Sequence, residues 1–102
     1  MNAGPERQDP MEAYESVARA SRDLLDAARA GDWERFDRQQ ARCHAQVELA
    51  RHVLPRTLSA AESRRRREIL MGILADDREI RDILEPVTRR LESILHLRGA
   101  PG

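Results

Sequence analysis

The segment AGDWERF, residues 30–36, decides how this chain folds, because it ends one helix and starts the next within three residues. Glycine adopts the left-handed conformation that closes a helix at little cost, so Gly31 predicts a helix end. The side chain of Asp32 can accept the free amide protons at a helix start. A connection this short predicts that the two helices run antiparallel as a hairpin.

Upstream of Gly31, the pattern predicts a first helix that begins at Asp9. Aspartate caps free amides, and Pro10 suits the first helical position. Apolar and small residues then recur at steps of three and four, which is one face of a helix. They are Met11, Tyr14, Val17, Ala18, Ser21, Leu24, Leu25 and Ala28. Residues 1–8 show no periodicity and are predicted to form a disordered tail.

Downstream, two more helices are predicted. The second has a heptad pattern, and Pro55 marks its end because a helix rarely continues to the residue before proline. Its pattern residues are Trp33, Phe36, Gln40, Cys43, Val47, Ala50 and Leu54. Ser59 and Glu62 form a capping-box pattern that starts a third helix at about Ala60, running towards Leu97. Pro86 lies inside this helix and is predicted to kink or break it.

The predicted fold is therefore all-α: an antiparallel helical hairpin plus a long third helix kinked or broken near Pro86, in a three- to four-helix bundle. A chain of 102 residues makes one domain, predicted here at residues 9–98 with a coil at 99–102. Aromatic residues make up 3% and charged residues 35% of the sequence, which favours amphipathic helices over a β-sandwich or barrel.

The charge balance argues against nucleic acid or anionic lipid as a partner. Eighteen basic residues, all arginine, offset eighteen acidic ones, so no field of one sign surrounds the molecule. The run Arg64–Arg67 spreads around the helix circumference, which favours a solvated surface over an acidic protein partner or nucleic acid. A single cysteine and the lack of an apolar run of about 20 residues predict a cytoplasmic protein with no membrane insertion.

No residue pattern predicts catalysis, a metal or a cofactor. Cys43 and His44 are adjacent, so they point about 100° apart on a helix, and His52 and His96 complete no metal-ligand spacing. Asp76 and Asp77 are followed by Arg78 and Arg81, which predicts solvated ion pairs rather than a catalytic carboxylate pair. The chain is expected not to be an enzyme.

The apolar face of the third helix is too wide for a bundle that packs only its own core, which needs an arc of about 100°. Leu70, Leu74 and Leu84 are predicted to be core. Six further apolar residues of this helix could each be a core residue, which is the simplest interpretation of any one of them. Taken together, however, they favour an interaction groove. That set is Ile69, Ile73, Ile80, Ile83, Val87 and Leu91. Trp33 is interpreted as a core residue that closes the hairpin, with partner contact as the alternative.

Three features together resemble the FliT family of flagellar export chaperones. They are the opening from Tyr14 to Ser21, the Gly31-Asp32-Trp33 turn and the segment ILADDREIRDILEP, residues 73–86. The resemblance implies a cytoplasmic chaperone of the flagellar type III export system. Such a chaperone holds the filament-cap protein FliD by its C-terminal region, prevents its premature assembly and delivers it to the export gate and ATPase complex. Some members also bind the flagellar master transcription regulator.

If the chain is similar, a client helix would lie in a groove between the second and third helices. The set on the third helix named above would bind it, with Val47 and Leu54 as the facing wall. Longer family members carry a further helix that covers this groove, and here the segment after Pro86 is expected to do part of that work, or self-inhibition is weak. A monomer or weak homodimer is expected. The alternative is a helical homo-oligomeric adaptor, or a regulator that binds a transcription factor by protein–protein contact.

Overall fold

Three α-helices make up the part of the chain that the structure describes. They are α1 (Pro10–Ala30), α2 (Trp33–Arg51) and α3 (Ala60–Gly99). The structure is a computed structural model that describes residues 9–99, with side chains over residues 9–96. No strand occurs within that range, so the all-α prediction is confirmed. The predicted tail at 1–8 and residues 100–102 of the predicted coil lie outside the described range, and Gly99 is the last residue of α3.

The helix ends at the hairpin and at the start of α1 follow from the local sequence. Asp9 accepts a hydrogen bond from the Met11 amide at 2.9 Å and forms a capping box with Glu12. Gly31 has a φ of 69°, the left-handed conformation that glycine adopts readily. The Asp32 side chain then accepts a hydrogen bond from the Arg35 amide at 3.1 Å. The short hairpin is therefore confirmed.

The third helix begins at the predicted capping box and continues through Pro86. The Ser59 amide donates to the Glu62 carboxylate at 2.9 Å, and the Glu62 amide donates to the Ser59 hydroxyl at 3.1 Å. Pro86 removes one amide donor, so the carbonyl of Asp82 lacks its helical partner, yet α3 does not break there. Because Pro86 is exposed, water can serve that carbonyl, and the loss of one hydrogen bond leaves the flanking turns intact.

Both α2 and α3 pack on α1, and the backbones of α2 and α3 do not approach each other closely. Asp23 of α1 pairs with Arg42 of α2, with 3.0 Å between their charged groups. The two helices run antiparallel from the turn at Gly31. The helices α1 and α3 run parallel, because Glu15 pairs with Arg65 and, further along both helices, Arg29 pairs with Glu79. Within residues 9–99, no Cα atom of α2 lies within 8 Å of one in α3. The backbones of α2 and α3 are therefore separated across α1, and we call the space between these two helices the fourth corner.

The apolar core is small and lies at the closed end of the hairpin. Leu25 is fully buried, and Phe36 of α2 and Ile80 of α3 meet it there. Ala27 and Ala28 complete the buried cluster, and their small side chains let the helices approach closely. The partly buried side chains packed against this cluster are Leu24, Ile83 and Leu84.

A polar contact fixes the middle of the α1–α3 interface. Asp76 is 6% exposed and accepts a hydrogen bond from the Ser21 hydroxyl at 3.1 Å, while Arg22 lies 3.2 Å from its other oxygen. The expectation of a solvated ion pair is therefore wrong for Asp76, because α1 covers it. The expectation does describe Asp77, which pairs with Arg81 at the surface at 3.0 Å.

The molecule is long because α3 outruns the hairpin. Arg29, at the end of α1, pairs with Glu79, and α3 continues for twenty more residues to Gly99, or about 30 Å at 1.5 Å per residue. The principal extents are 63 × 29 × 26 Å and the radius of gyration is 18.1 Å, against about 13 Å for a compact domain of this size. We refer to residues 85–99 as the projecting segment.

Truncating Leu25, the one leucine fully buried among residues 9–96, should destabilise the protein strongly. Leu25→Ala leaves a cavity in the core, so the free energy of unfolding should fall by about 2–5 kcal/mol, a large part of what a domain of marginal stability has. Urea unfolding followed by circular dichroism measures the change. The matched control is Leu49→Ala on the exposed side of α2, which should change stability by less than about 0.5 kcal/mol. Equal losses for both variants would contradict the placement of the core.

Acid should weaken the fold through the carboxylates that Arg56 holds. Its guanidinium donates hydrogen bonds to Asp9 at 2.6 Å and Glu62 at 2.7 Å, and these bonds lower the pKa of Asp9 and, with the Ser59 amide, lower the pKa of Glu62 to about 2. An unfolded glutamate has a pKa of about 4.3. The stabilisation is therefore complete above that pH and is lost as the pH falls towards 2.

The test compares melting temperatures of the wild type and Glu62→Gln between pH 6 and pH 2. The variant should melt lower at pH 6, and the difference should shrink as the pH approaches 2. Arg56→Gln should show the same convergence because it removes the cause of both pKa changes. A difference between wild type and Glu62→Gln that stays constant over the whole range would contradict this assignment.

Candidate functional site

Most of the large apolar side chains that reach solvent belong to α3. Among the described residues, eleven large apolar side chains are at least 37% exposed, and seven of them lie on this helix. The eleven are Trp33, Val47, Leu49, Leu54, Leu70, Met71, Leu74, Val87, Leu91, Ile94 and Leu95. An apolar surface of this extent on one helix is typical of a protein–protein contact.

One line of these side chains continues the stripe by which α3 packs on α1. We call this stripe the seam. Ile80, Val87 and Ile94 follow it at steps of seven residues, and their exposed fractions are 6%, 39% and 43%. The chemistry of the stripe does not change along these three positions. What changes is the neighbour, because α1 ends level with Glu79. The projecting segment therefore presents a core-type surface with no core beside it.

A second line lies beside the seam, rotated by about 40–120° around the helix at about 100° per residue. We call it the lateral line, and it consists of Leu70, Leu74, Leu84, Leu91 and Leu95. Leu74 is 63% exposed, and Leu70 and Leu91 are also exposed. Of these five residues, only Leu84 packs against the core cluster.

The prediction that Leu70 and Leu74 are core is wrong. It assumed that two helices would cover α3, whereas α1 alone packs on it. The one covering helix meets the seam, and the lateral line lies outside that contact. Leu70, Asp77, Leu84 and Leu91 follow one another at steps of seven residues. This spacing was the sequence signal for a separate line.

The eight predicted partner-binding residues fall into three groups. Ile69 and Ile80 are buried against α1, and Ile73 and Ile83 are half-buried, so these four belong at least partly to the seam. Val87 and Leu91 are exposed on α3. The predicted wall residues Val47, on α2, and Leu54, in the loop after it, are also exposed. Met71, Ile94 and Leu95 were left out of the predicted site although all three are exposed.

Trp33 marks the point where the projecting segment leaves the hairpin. Its ring packs edge-on against Phe36, with centroids 5.5 Å apart and planes inclined by 72°. It is nevertheless 38% exposed and lines an open notch together with Pro86, Val87 and Arg90. Trp33 therefore covers one edge of the core and also adds aromatic surface next to the exposed stripe of α3.

The structure also places the cysteine and the arginine run that the sequence analysis singled out. Burial raises the pKa of the Cys43 thiol, which favours its protonated, unreactive form. In the run Arg64–Arg67, Arg65 pairs with Glu15 of α1 at 3.0 Å, so it helps to hold α3 in place. Among residues 9–96, no group of three or more His, Cys, Asp or Glu side chains could hold a metal ion.

None of the helices within the described range combines the length and the apolar character that crossing a membrane requires.

Comparison with known proteins gives one match. A family model described as "Flagellar protein FliT" matches residues 11–97, which includes all of α2 and nearly all of α1 and α3. No curated protein and no solved structure gave a significant match. The matched range contains the hairpin turn, the seam and the projecting segment up to residue 97. The chain belongs to the FliT family of flagellar proteins.

Proposed function

We propose that this protein is a cytoplasmic export chaperone that captures the C-terminal region of the flagellar filament-cap protein FliD. Family membership supports a flagellar role, and the exposed face of α3 supports a binding role. The protein would act by stoichiometric capture and release, without catalysis. It would prevent premature assembly of the cap protein and deliver it to the export gate and ATPase complex.

The observation that carries this proposal is the continuation of the seam beyond α1. Burying an apolar side chain contributes about 25 cal/mol per Å², so Val87, Leu91 and Ile94 forgo that stabilisation while they face water. A helix from another protein could cover them in the way that α1 covers Ile69 and Ile80. Helix-in-groove recognition uses anchors with the same three- and four-residue spacing.

The open fourth corner gives the client helix a place beside the lateral line. Among the described residues, no Cα atom of α2 lies within 8 Å of one in α3, so α2 leaves the lateral line free for a client helix. Val47 on α2 is exposed and belongs to the heptad face of that helix. A client in this position would bury its own apolar face, and an exposed face of that kind promotes self-assembly.

The projecting segment does not fold back over the hairpin, because α3 is one helix from Ala60 to Gly99. We propose that self-inhibition by this segment is weak and that it serves mainly as part of the client-binding surface. Removing it would then lower client affinity. If the segment were a lid, its removal would instead raise the affinity for the client.

The binding test uses titration calorimetry with a peptide from the C-terminal region of the cap protein encoded in the same genome. The wild type should bind one peptide per chain. Leu91→Asp places a charge on the exposed lateral line and should weaken binding by at least tenfold. Ser93→Asp is the matched control, because Ser93 is also exposed and lies about 200° around the same helix from Leu91.

Ser93→Asp should bind within about twofold of the wild type, since it faces away from the stripe. Two results would contradict the proposal: no binding of the wild type to the peptide or to the full cap protein, or equal losses for the two variants.

A further inference from the structure

An ion pair interrupts the lateral line of α3. Asp77 and Arg81 lie 3.0 Å apart, and their side chains are 51% and 77% exposed. Asp77 is seven residues from both Leu70 and Leu84, so it occupies a position of the lateral line itself. Arg81 stands seven residues after Leu74, on the same line. The pair therefore divides the lateral line into two apolar patches.

The proximal patch contains Leu70 and Leu74, and the distal patch contains Leu91 and Leu95. Each patch is small, whereas a specific interface buries about 800 Å² on each partner. Both lie on one unbroken helix, since α3 continues through Pro86. The distance from Leu70 to Leu95 along the helix is about 38 Å. One partner helix of about 25 residues can span the two patches and must then cross the ion pair.

We propose that the Asp77–Arg81 pair sets the register of a client helix that carries two apolar clusters separated by a complementary charge pair. This inference rests on the proposed function, and it states which chemical class of helix the same surface selects. The client would place a basic residue opposite Asp77 and an acidic residue opposite Arg81, four residues apart. Its apolar clusters would cover the proximal and distal patches.

The physical reason is the cost of removing water from charges. The bond between Asp77 and Arg81 uses one carboxylate oxygen and one guanidinium nitrogen, so the remaining polar atoms need partners when a client covers them. A client with complementary charges supplies those partners. A client shifted by one helical turn would place leucine or isoleucine side chains over the pair and lose binding energy. Selection by such a penalty gives specificity that an apolar stripe alone lacks.

A second ion pair on α3 has the same spacing and the same order, with the acid four residues before the base. Glu85 and Arg89 are four residues apart with 3.5 Å between their charged groups. At about 100° per residue, they lie about 140–180° around the helix from Ile80. They are therefore on the side opposite to α1 and just beyond the lateral line. This pair is a control of the same chemistry on the same helix.

The experiment exchanges the two members of each pair and measures affinity for the C-terminal peptide of the cap protein. Asp77→Arg with Arg81→Asp keeps an internal ion pair and the net charge but inverts the charges that face the client. This double variant should bind at least tenfold more weakly than the wild type. Glu85→Arg with Arg89→Glu should bind within about twofold. Circular dichroism melting of both variants checks that the fold is retained.

The outcomes separate this inference from the proposed function. If the wild type binds and both exchanged variants bind equally well, the register role is overturned while the chaperone proposal stands. Equal weakening of both variants would also overturn it, because the effect would then be a general response to charge. If the wild type does not bind, the proposed function fails and the register role fails with it.

A second copy of this chain is a different occupant that the same variants test. Sedimentation of the wild type without peptide should give the mass of one chain. A dimer that the Asp77/Arg81 exchange dissociates, with peptide affinity unchanged, would overturn the proposal by assigning the face to self-association. A further test exchanges the matching acid and base in the peptide. That exchange should restore affinity to the inverted chaperone, and failure to restore it would count against direct pairing.

Discussion

The packing of α3 on α1 ends where α1 ends, and the rest of the molecule depends on this mismatch in length. Up to Glu79 and Ile80, the seam of α3 is covered and Asp76 is held by Ser21 and Arg22. Beyond that level the stripe is unchanged in chemistry but has no neighbour. An isolated helix of about 15 residues is marginal in water, so the projecting segment has much to gain from a partner.

The free protein is held together by a small core and by many surface ion pairs. The buried cluster contains five residues around Leu25, while most salt bridges are between exposed groups such as Arg29 and Glu79. Exposed pairs contribute little each, so the buried contacts at the hairpin tip and at Asp76 carry much of the stability. This arrangement fixes α1, α2 and the proximal half of α3, and it leaves one corner of the bundle and one end of α3 open.

Much of the fold could be predicted from the sequence because its helix ends depend on neighbouring residues. Asp9, Gly31, Asp32 and the Ser59–Glu62 box all act within a few positions of where they stand, and the structure confirms each. The placement of apolar residues on α3 could not be predicted in the same way. Whether Leu70 or Ile69 is buried depends on how many helices cover α3, which periodicity alone does not specify. The burial of Asp76 could not be predicted for the same reason, because it depends on how closely Ser21 of α1 approaches.

The most direct test of this account is amide hydrogen exchange of the free protein and of its complex with the cap-protein fragment. In the free protein, amides of residues 85–96 should exchange much faster than those of residues 20–30 in the hairpin. Binding should slow exchange in residues 85–96 by at least tenfold. Two results would contradict a partner-binding role of the projecting segment: residues 85–96 as protected as the hairpin in the free protein, or binding that protects only residues elsewhere.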